Sequence, residues 1–213
     1  MSPAPGSRRP DGRRPDDRRF DGPHFDELYA ADEDPWRVRT DWYERRKRAL
    51  ALASLPRETY PRALEVGCST GVMTAELARR CARLTALDAS ATAVRLAREE
   101  VARADDRAGD VAVLRARVPE QLPQDVVDLV VVSEVGYFLA PADLDELLAR
   151  LPEVLAPGAD LLAVHWRRDG ETLAVPGDEV HRRLAGLEAL GAQRLVAHVE
   201  EPFLLDVWRW PGA

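Results

Sequence analysis

The sequence predicts an α/β domain built on a mostly parallel seven-stranded sheet, and three observations predict it. From Arg62 onward, short apolar runs alternate with longer amphipathic ones. A glycine loop, ALEVGCSTG at 63–71, lies directly between the first apolar run and the helix that follows. The last two apolar runs stand too close together to be joined by a parallel crossover, which needs a dozen residues or more.

Residues 1–20, MSPAPGSRRPDGRRPDDRRF, hold six arginines, three aspartates and four prolines. Such a stretch cannot repay the entropy of ordering itself, so residues 1–22 are expected as a disordered leader. The folded domain is expected over 23–213, with an N-terminal cap at 23–60 and a core at 61–210. In the cap, FDELYAADEDPW gives a turn or short helix broken at Asp34-Pro35, before Trp36. Residues 41–54 form a helix with Asp41 as N-cap and Trp42, Leu50 and Ala53 on the buried side.

The core follows in order. ALEV (63–66) is a strand, 71–80 a helix, and RLTALD (83–88) a second strand ending in an acid. SATAVRLAREEVAR (90–103) is a helix capped by Ser90, with Val94, Ala97 and Val101 on one side. Residues 110–115 give a third strand and 126–133 a fourth. Residues 141–155 make a helix opened by a proline, and Pro157-Gly158 turns into a fifth strand over 159–166. A helix over 177–190 precedes AQRLVAHVEE and PFLLDVWRW, which must be antiparallel neighbours.

Composition bounds the function. The chain has 213 residues, a net charge of −7 and only two cysteines, Cys68 and Cys81. An acidic body argues against a nucleic-acid partner held through phosphates. Two cysteines supply no zinc cluster, and no metal is expected. No apolar run approaches the roughly 20 residues that span a bilayer, and no signal segment opens the chain. The expectation is a cytoplasmic domain acting on a small molecule, as a monomer or homodimer.

The glycine loop narrows the ligand. Gly67 and Gly71 let the backbone approach a cofactor, and the free N–H groups of the next helix favour negative charge. A dinucleotide motif G-x-G-x-x-G would fall on Gly67, Ser69 and Val72, so two of three glycines are missing; no Walker lysine follows either. Glu65 would sit poorly beside a pyrophosphate and well beside an ammonium. Asp88, 21 residues after Gly67 at the tip of the second strand, can accept both hydroxyls of a ribose. An amino-acid portion near Glu65 and a ribose near Asp88 describe S-adenosylmethionine. Expected cofactor contacts are Glu65, Gly67, Cys68, Ser69, Thr70, Gly71, Asp88, Ala89 and Ser133. Arg117 and Val118 are placed near the adenine, with Trp36, Tyr43 and Arg46 in a covering helix region.

FDELY (25–29), DPW (34–36), YERRK (43–47), ALEVGCSTG, LDAS (87–90), DLVVVSEVGYFL (128–139), HWR (165–167), GDEVH (177–181) and FLLDVW (203–208) carry a resemblance to class I S-adenosylmethionine-dependent methyltransferases. Within that class the chain resembles the nodulation protein S family, N-methyltransferases of deacetylated chitooligosaccharides. The class resemblance implies a Rossmann-like sheet of order 3-2-1-4-5-7-6 with strand seven antiparallel. It places Glu65 and Gly67 near the methionine part of the cofactor and Asp88 on its ribose. Ser69 replaces the middle glycine of the usual loop, in agreement with the narrower family.

Ligands in such sheets bind beyond the C-terminal strand ends, where strand order reverses. Glu134 is therefore the first candidate to bind an acceptor ammonium or take its proton, Tyr137 to orient a hydroxyl or stack on a sugar, and His165 to act as a second base. Trp166 offers a flat surface, Arg167 a clamp, and His181 a further group facing the cleft. The expected activity is methyl transfer to the nitrogen of an amino-sugar-like acceptor. O-methylation of a small metabolite and a non-catalytic cofactor-binding role are the alternatives.

Overall fold

The computed structural model describes residues 20–104, 109–167 and 173–212; residues 1–19, most of the expected leader, lie outside them. Two helices, α1 (Gly22–Ala31) and α2 (Trp42–Ser54), precede the sheet. The core then alternates β1 (Tyr60–Val66), α3 (Val72–Leu77), β2 (Cys81–Asp88), α4 (Ala91–Arg103), β3 (Asp110–Arg115), β4 (Val127–Ser133), α5 (Pro141–Val154), β5 (Leu155–Trp166) and α6 (Gly177–Leu184). It closes with β6 (Gln193–Val199) and β7 (Phe203–Arg209).

The strands form one sheet of order β3-β2-β1-β4-β5-β7-β6. β1 pairs in parallel with β2 and β4, and β7 runs antiparallel to both β5 and β6. Leu64, Val66, Val130 and Val132 pack with Leu144, Leu147 and Leu151 of α5 and with Val180 and Leu184 of α6. Ala63, Leu129, Val131, Leu162 and Val164 face the other way, toward Ala51 of α2 and Leu77 of α3. This two-residue alternation is the pleat expressed as two cores. Strand order reverses between β1 and β4, so their C-terminal ends frame a crevice.

Several expectations are corrected by packing. On α2 the buried residues are Lys47 and Ala51, whereas Trp42 is 67% exposed and Ala53 faces solvent. Asp41 does cap this helix, accepting from Tyr43 N at 2.7 Å. Pro157-Gly158 is not a turn ahead of the fifth strand. β5 already begins at Leu155 and carries Gly158 at φ +75° beside a register shift against β4. The helix expected over 177–190 is α-helical only to Leu184 and finishes as a 3₁₀ helix from Ala185 to Leu190.

The cap begins earlier than residue 23. Asp21 caps α1, and the Phe20 ring lies 5.4 Å from Phe138 and 5.2 Å from His24. Asp26 of α1 accepts from Ser90 Oγ at 2.5 Å and Thr92 N at 3.0 Å, pinning the cap to the start of α4.

Candidate active site

A cavity of about 680 Å³ lies over the crevice between β1 and β4, roofed by α1, α2 and the segment joining them. The glycine loop forms its floor. Gly67 has φ +77°, and a Cβ there would come within 2.8 Å of the Val135 side chain, so both conformation and space require glycine. Ser69 takes φ +50°, the region in which a glycine would sit without strain. Its surroundings hold it there: Ser69 N donates to Asp88 Oδ2 at 2.9 Å, and its hydroxyl bonds Tyr29 Oη at 2.7 Å. Tyr29 of the cap thus takes part in compensating the missing glycine.

Glu65 is buried at the end of β1 and accepts a hydrogen bond from Thr74 Oγ1 at 2.6 Å. Burial pushes its carboxyl up to about 8; the Thr74 bond opposes the shift and the charge of Asp88 adds to it. Asp88 accepts from Ser69 N and, through Oδ1, from Ser90 N at 2.9 Å. Burial raises its carboxyl to about 6 despite those bonds. Thr70 is also fully buried, and its hydroxyl has no partner among the described residues. An acid that burial disfavours as an anion, a second acid at the next strand tip and an orphaned hydroxyl fit a ligand carrying an ammonium and a diol.

The other expected contacts divide cleanly. Cys68, Ala89, Arg117, Val118, Ser133, Trp36 and Tyr43 all line the cavity. Burial raises the Cys68 thiol well above its ordinary value, which makes it a packing residue rather than a nucleophile. Arg117 is tied to Asp143 at 3.2 Å. Gly71 does not line the cavity: a Cβ there would lie 2.6 Å from Ala97 Cα, so this glycine serves the approach of α4. Arg46 does not line it either, because it is forked onto Glu200 with two bonds of 2.7 Å.

At the tip of β4, Glu134 also lines the cavity and has φ +57°. Its Oε1 meets Lys47 Nζ at 2.7 Å; its Oε2 accepts from the Tyr137 hydroxyl and from Trp166 N at 3.2 Å. Lys47 also pairs with Glu44 at 3.0 Å and stands 4.9 Å over the Tyr43 ring. Burial works against its charge, but Glu134 and Glu44 outweigh it and hold the ammonium above the ordinary lysine value. Burial and the Glu134 charge together raise Tyr137 well above its ordinary value, so it is a hydrogen-bond donor here. Trp166 lines the cavity beside them.

His165, His181 and Arg167 are not in the cavity. His165 is fully buried behind it, its Nε2 accepting from Gly136 N at 3.1 Å and its Nδ1 lying 3.1 Å from His181 Nε2. Burial and the neighbouring His181 and Lys47 push its pKa well below the ordinary histidine value, so it is no base for a substrate in the cavity. His181 is bonded to Asp206 at 2.5 Å. Arg167 forks onto Asp178 with two bonds of 2.9 Å and donates to Glu200 O, leaving it no part in a clamp.

The sequence reading missed Lys47, Glu44 and the aromatic roof. Phe25 stacks edge-on against Phe138 at 5.1 Å and packs against Trp36 at 6.3 Å, while Tyr29 meets Trp36 at 5.6 Å. The available signal for Lys47 was its spacing of four from Tyr43, which puts both on one helical face. Among the described residues no helix is long and apolar enough to cross a membrane, and no cluster of His, Cys, Asp and Glu is placed to hold a metal.

Comparison with known proteins agrees with this geometry. The family described as "Methyltransferase domain" matches residues 63–158. Nodulation protein S of Rhizobium tropici is 33% identical over 134 residues, and that match spans 62% of this chain but only 55% of the relative. The corresponding protein of Bradyrhizobium diazoefficiens is 30% identical over 177 residues, covering 82% of this chain and 77% of the relative. Among solved structures, a putative methyltransferase from Pseudomonas syringae is 43% identical with a TM-score of 0.68, covering 80% of this chain and all of that one. N-methyltransferase NodS from Bradyrhizobium japonicum WM9, in complex with S-adenosyl-L-homocysteine, shares the fold at a TM-score of 0.74 and 24% identity, over 88% of this chain and 97% of its own. With the reversal of strand order, the glycine loop and the two acids at adjacent strand tips in place, these likenesses assign the chain to the nodulation protein S family of class I S-adenosylmethionine-dependent methyltransferases.

Proposed function

We propose that this protein transfers a methyl group from S-adenosylmethionine to the amine nitrogen of a small, amino-sugar-like acceptor. The observation that carries the reading is the pair of carboxylates, Glu44 and Glu134, that share the cation Lys47 in the wall of the cavity. With both acids ionised the group has one surplus negative charge, which draws an ammonium into a partly dehydrated site. Tyr43, Tyr137 and Trp166 surround it with aromatic surface suited to a sugar's apolar face. The printed name of the Bradyrhizobium japonicum relative, an N-methyltransferase, supports the same direction.

Glu65, Thr70 and the 67–70 loop would hold the amino-acid end of the cofactor, Asp88 its ribose, and Ala89, Arg117 and Val118 would border its adenine. When bound, S-adenosylmethionine supplies an electrophilic methyl carbon on a sulfonium. The residues of this chain do the rest by orientation, exclusion of water and control of one proton. Glu134 attracts the acceptor ammonium and takes its proton, directly or through water, so that the nitrogen presents a lone pair. Lys47 and Trp166 N fix the Glu134 carboxylate, and Tyr137 completes its hydrogen bonds. His165, the second base expected from the sequence, is buried outside the cavity and is not available to activate a hydroxyl acceptor there.

A labelled-methyl assay over free amino sugars, deacetylated oligosaccharides and simple amines tests the reading, with each N-acetylated counterpart as control. Label should enter the free amines and not the acetylated forms. Equal labelling of both would overturn it.

A further inference from the structure

The two histidines excluded from the cavity are not idle packing. Gly136 N donates to His165 Nε2 at 3.1 Å, His165 Nδ1 meets His181 Nε2 at 3.1 Å, and His181 Nδ1 meets Asp206 Oδ2 at 2.5 Å. The chain of contacts joins the turn after β4 to β5, α6 and β7, and all three side chains are buried. The direction of every bond follows from its first donor. A backbone N–H can only donate, so His165 Nε2 must carry the lone pair and its proton must sit on Nδ1. That proton points at His181 Nε2, which must therefore accept, leaving the His181 proton on Nδ1, where the Asp206 carboxylate receives it.

We propose that Asp206, through His181, sets the tautomer of His165 and so positions the turn that carries Glu134 and Tyr137. Asp206, His181 and His165 are positioning residues, since none of the three lines the cavity. Glu134 has φ +57°, a conformation that persists only where the surroundings over-determine it. Glu134 N is held by Val164 O at 2.8 Å, and Gly136 N, two residues on, is held by His165. A Cβ at Gly136 would lie 2.9 Å from His165 Nε2, so the ring is pressed against the turn with no room for a side chain. If the carboxylate is replaced by an amide, the amide N–H₂ can face His181 Nδ1. The bonds then reverse, and a second N–H is directed at Gly136 N–H. The same loss of tautomer control is known when the acid of a catalytic triad becomes an asparagine.

The inference rests on the proposed role of Glu134 only for its effect on turnover; the tautomers and the Gly136 bond are independent of any acceptor. Long-range nitrogen–proton spectra of the full chain should show both His165 and His181 protonated on Nδ1. In Asp206→Asn, amide hydrogen exchange at Gly136 should accelerate at least roughly tenfold while Val131 and Leu162 amides keep their rates. On whichever amine the assay above identifies, kcat should fall roughly 10- to 100-fold with KM little changed. A wild-type His165 protonated on Nε2 would overturn the proposal without any variant. An unchanged Gly136 exchange rate, or equal acceleration across the whole sheet, would overturn it as well. Failure to find any amine acceptor would defeat the functional reading and leave these two spectral tests standing.

Discussion

Lys47 Nζ stands 2.7 Å from Glu134 Oε1, joining helix α2 to the end of β4 in the wall of the cavity. It ties the N-terminal cap to the tip of β4, and it places a cation between two acids that would otherwise repel one another.

Lys47→Met keeps the aliphatic stem and removes the charge. Breaking a fully buried pair costs about 3–5 kcal/mol. Glu134 keeps 24% of its side-chain exposure, and solvent screens the stranded acids, so a loss of about 2 kcal/mol is expected. Urea denaturation measures it, and a midpoint equal to wild type would remove the pair from the account.

Glu134→Gln keeps the volume and removes the carboxylate. Turnover of an amine acceptor should fall by about 10²–10⁴, the usual contribution of a positioned base. Affinity for S-adenosylhomocysteine, measured by calorimetry, should stay within about 0.5 kcal/mol. A large loss of that affinity would put Glu134 at the cofactor rather than at the acceptor.

Asp88→Ala strands the N–H groups of Ser69 and Ser90 as well as removing the expected ribose contact. Affinity for S-adenosylhomocysteine should weaken by about 1.5–3 kcal/mol. A folded variant with wild-type affinity would contradict the placement of the ribose.

Glu65 gives a pH dependence of unusual sign. Its folded value of about 8 lies above the ordinary 4.5, and Asp88 at about 6 lies above 3.8. Between these values the folded protein binds more protons than the unfolded chain, so ligand-free stability falls as pH rises from about 4.5 to about 8. At about 1.4 kcal/mol per pH unit the Glu65 shift sets an upper bound of about 5 kcal/mol on its share of the loss, and Glu65→Gln should remove that share. Thermal unfolding across that range decides the matter; stability rising with pH, at equal slope in both proteins, would show that Glu65 ionises normally.

The sequence revealed the sheet, the loop and both strand-tip acids because each is a local signal: an apolar run, a glycine at a turn, an acid at a fixed distance. The residues it misplaced were decided by rotation about an element. His165 and Trp166 are adjacent on β5, so the pleat sends them to opposite faces, and only Trp166, in phase with Val164, reaches the cavity. Arg46 and Lys47 differ by one step on α2, about 100° of turn, and the step that matches Tyr43 is four rather than three. Its spacing from Tyr43 was the one local mark on Lys47 among the cations of YERRKR, and the acid that selects it lies 87 positions along the chain. Phe20 looked like part of a polar leader because its ring partner, Phe138, is still more distant in sequence.

The most direct test of the central claim follows the methyl group itself. The purified protein is incubated with S-adenosylmethionine carrying a carbon-13 methyl and with glucosamine or a deacetylated chitooligosaccharide, and the product is read by mass spectrometry and nuclear magnetic resonance. One labelled methyl bonded to nitrogen is expected, formed only where a free amine is present. A methyl found on oxygen, or no transfer to any free amine by a protein that binds S-adenosylhomocysteine, would contradict it.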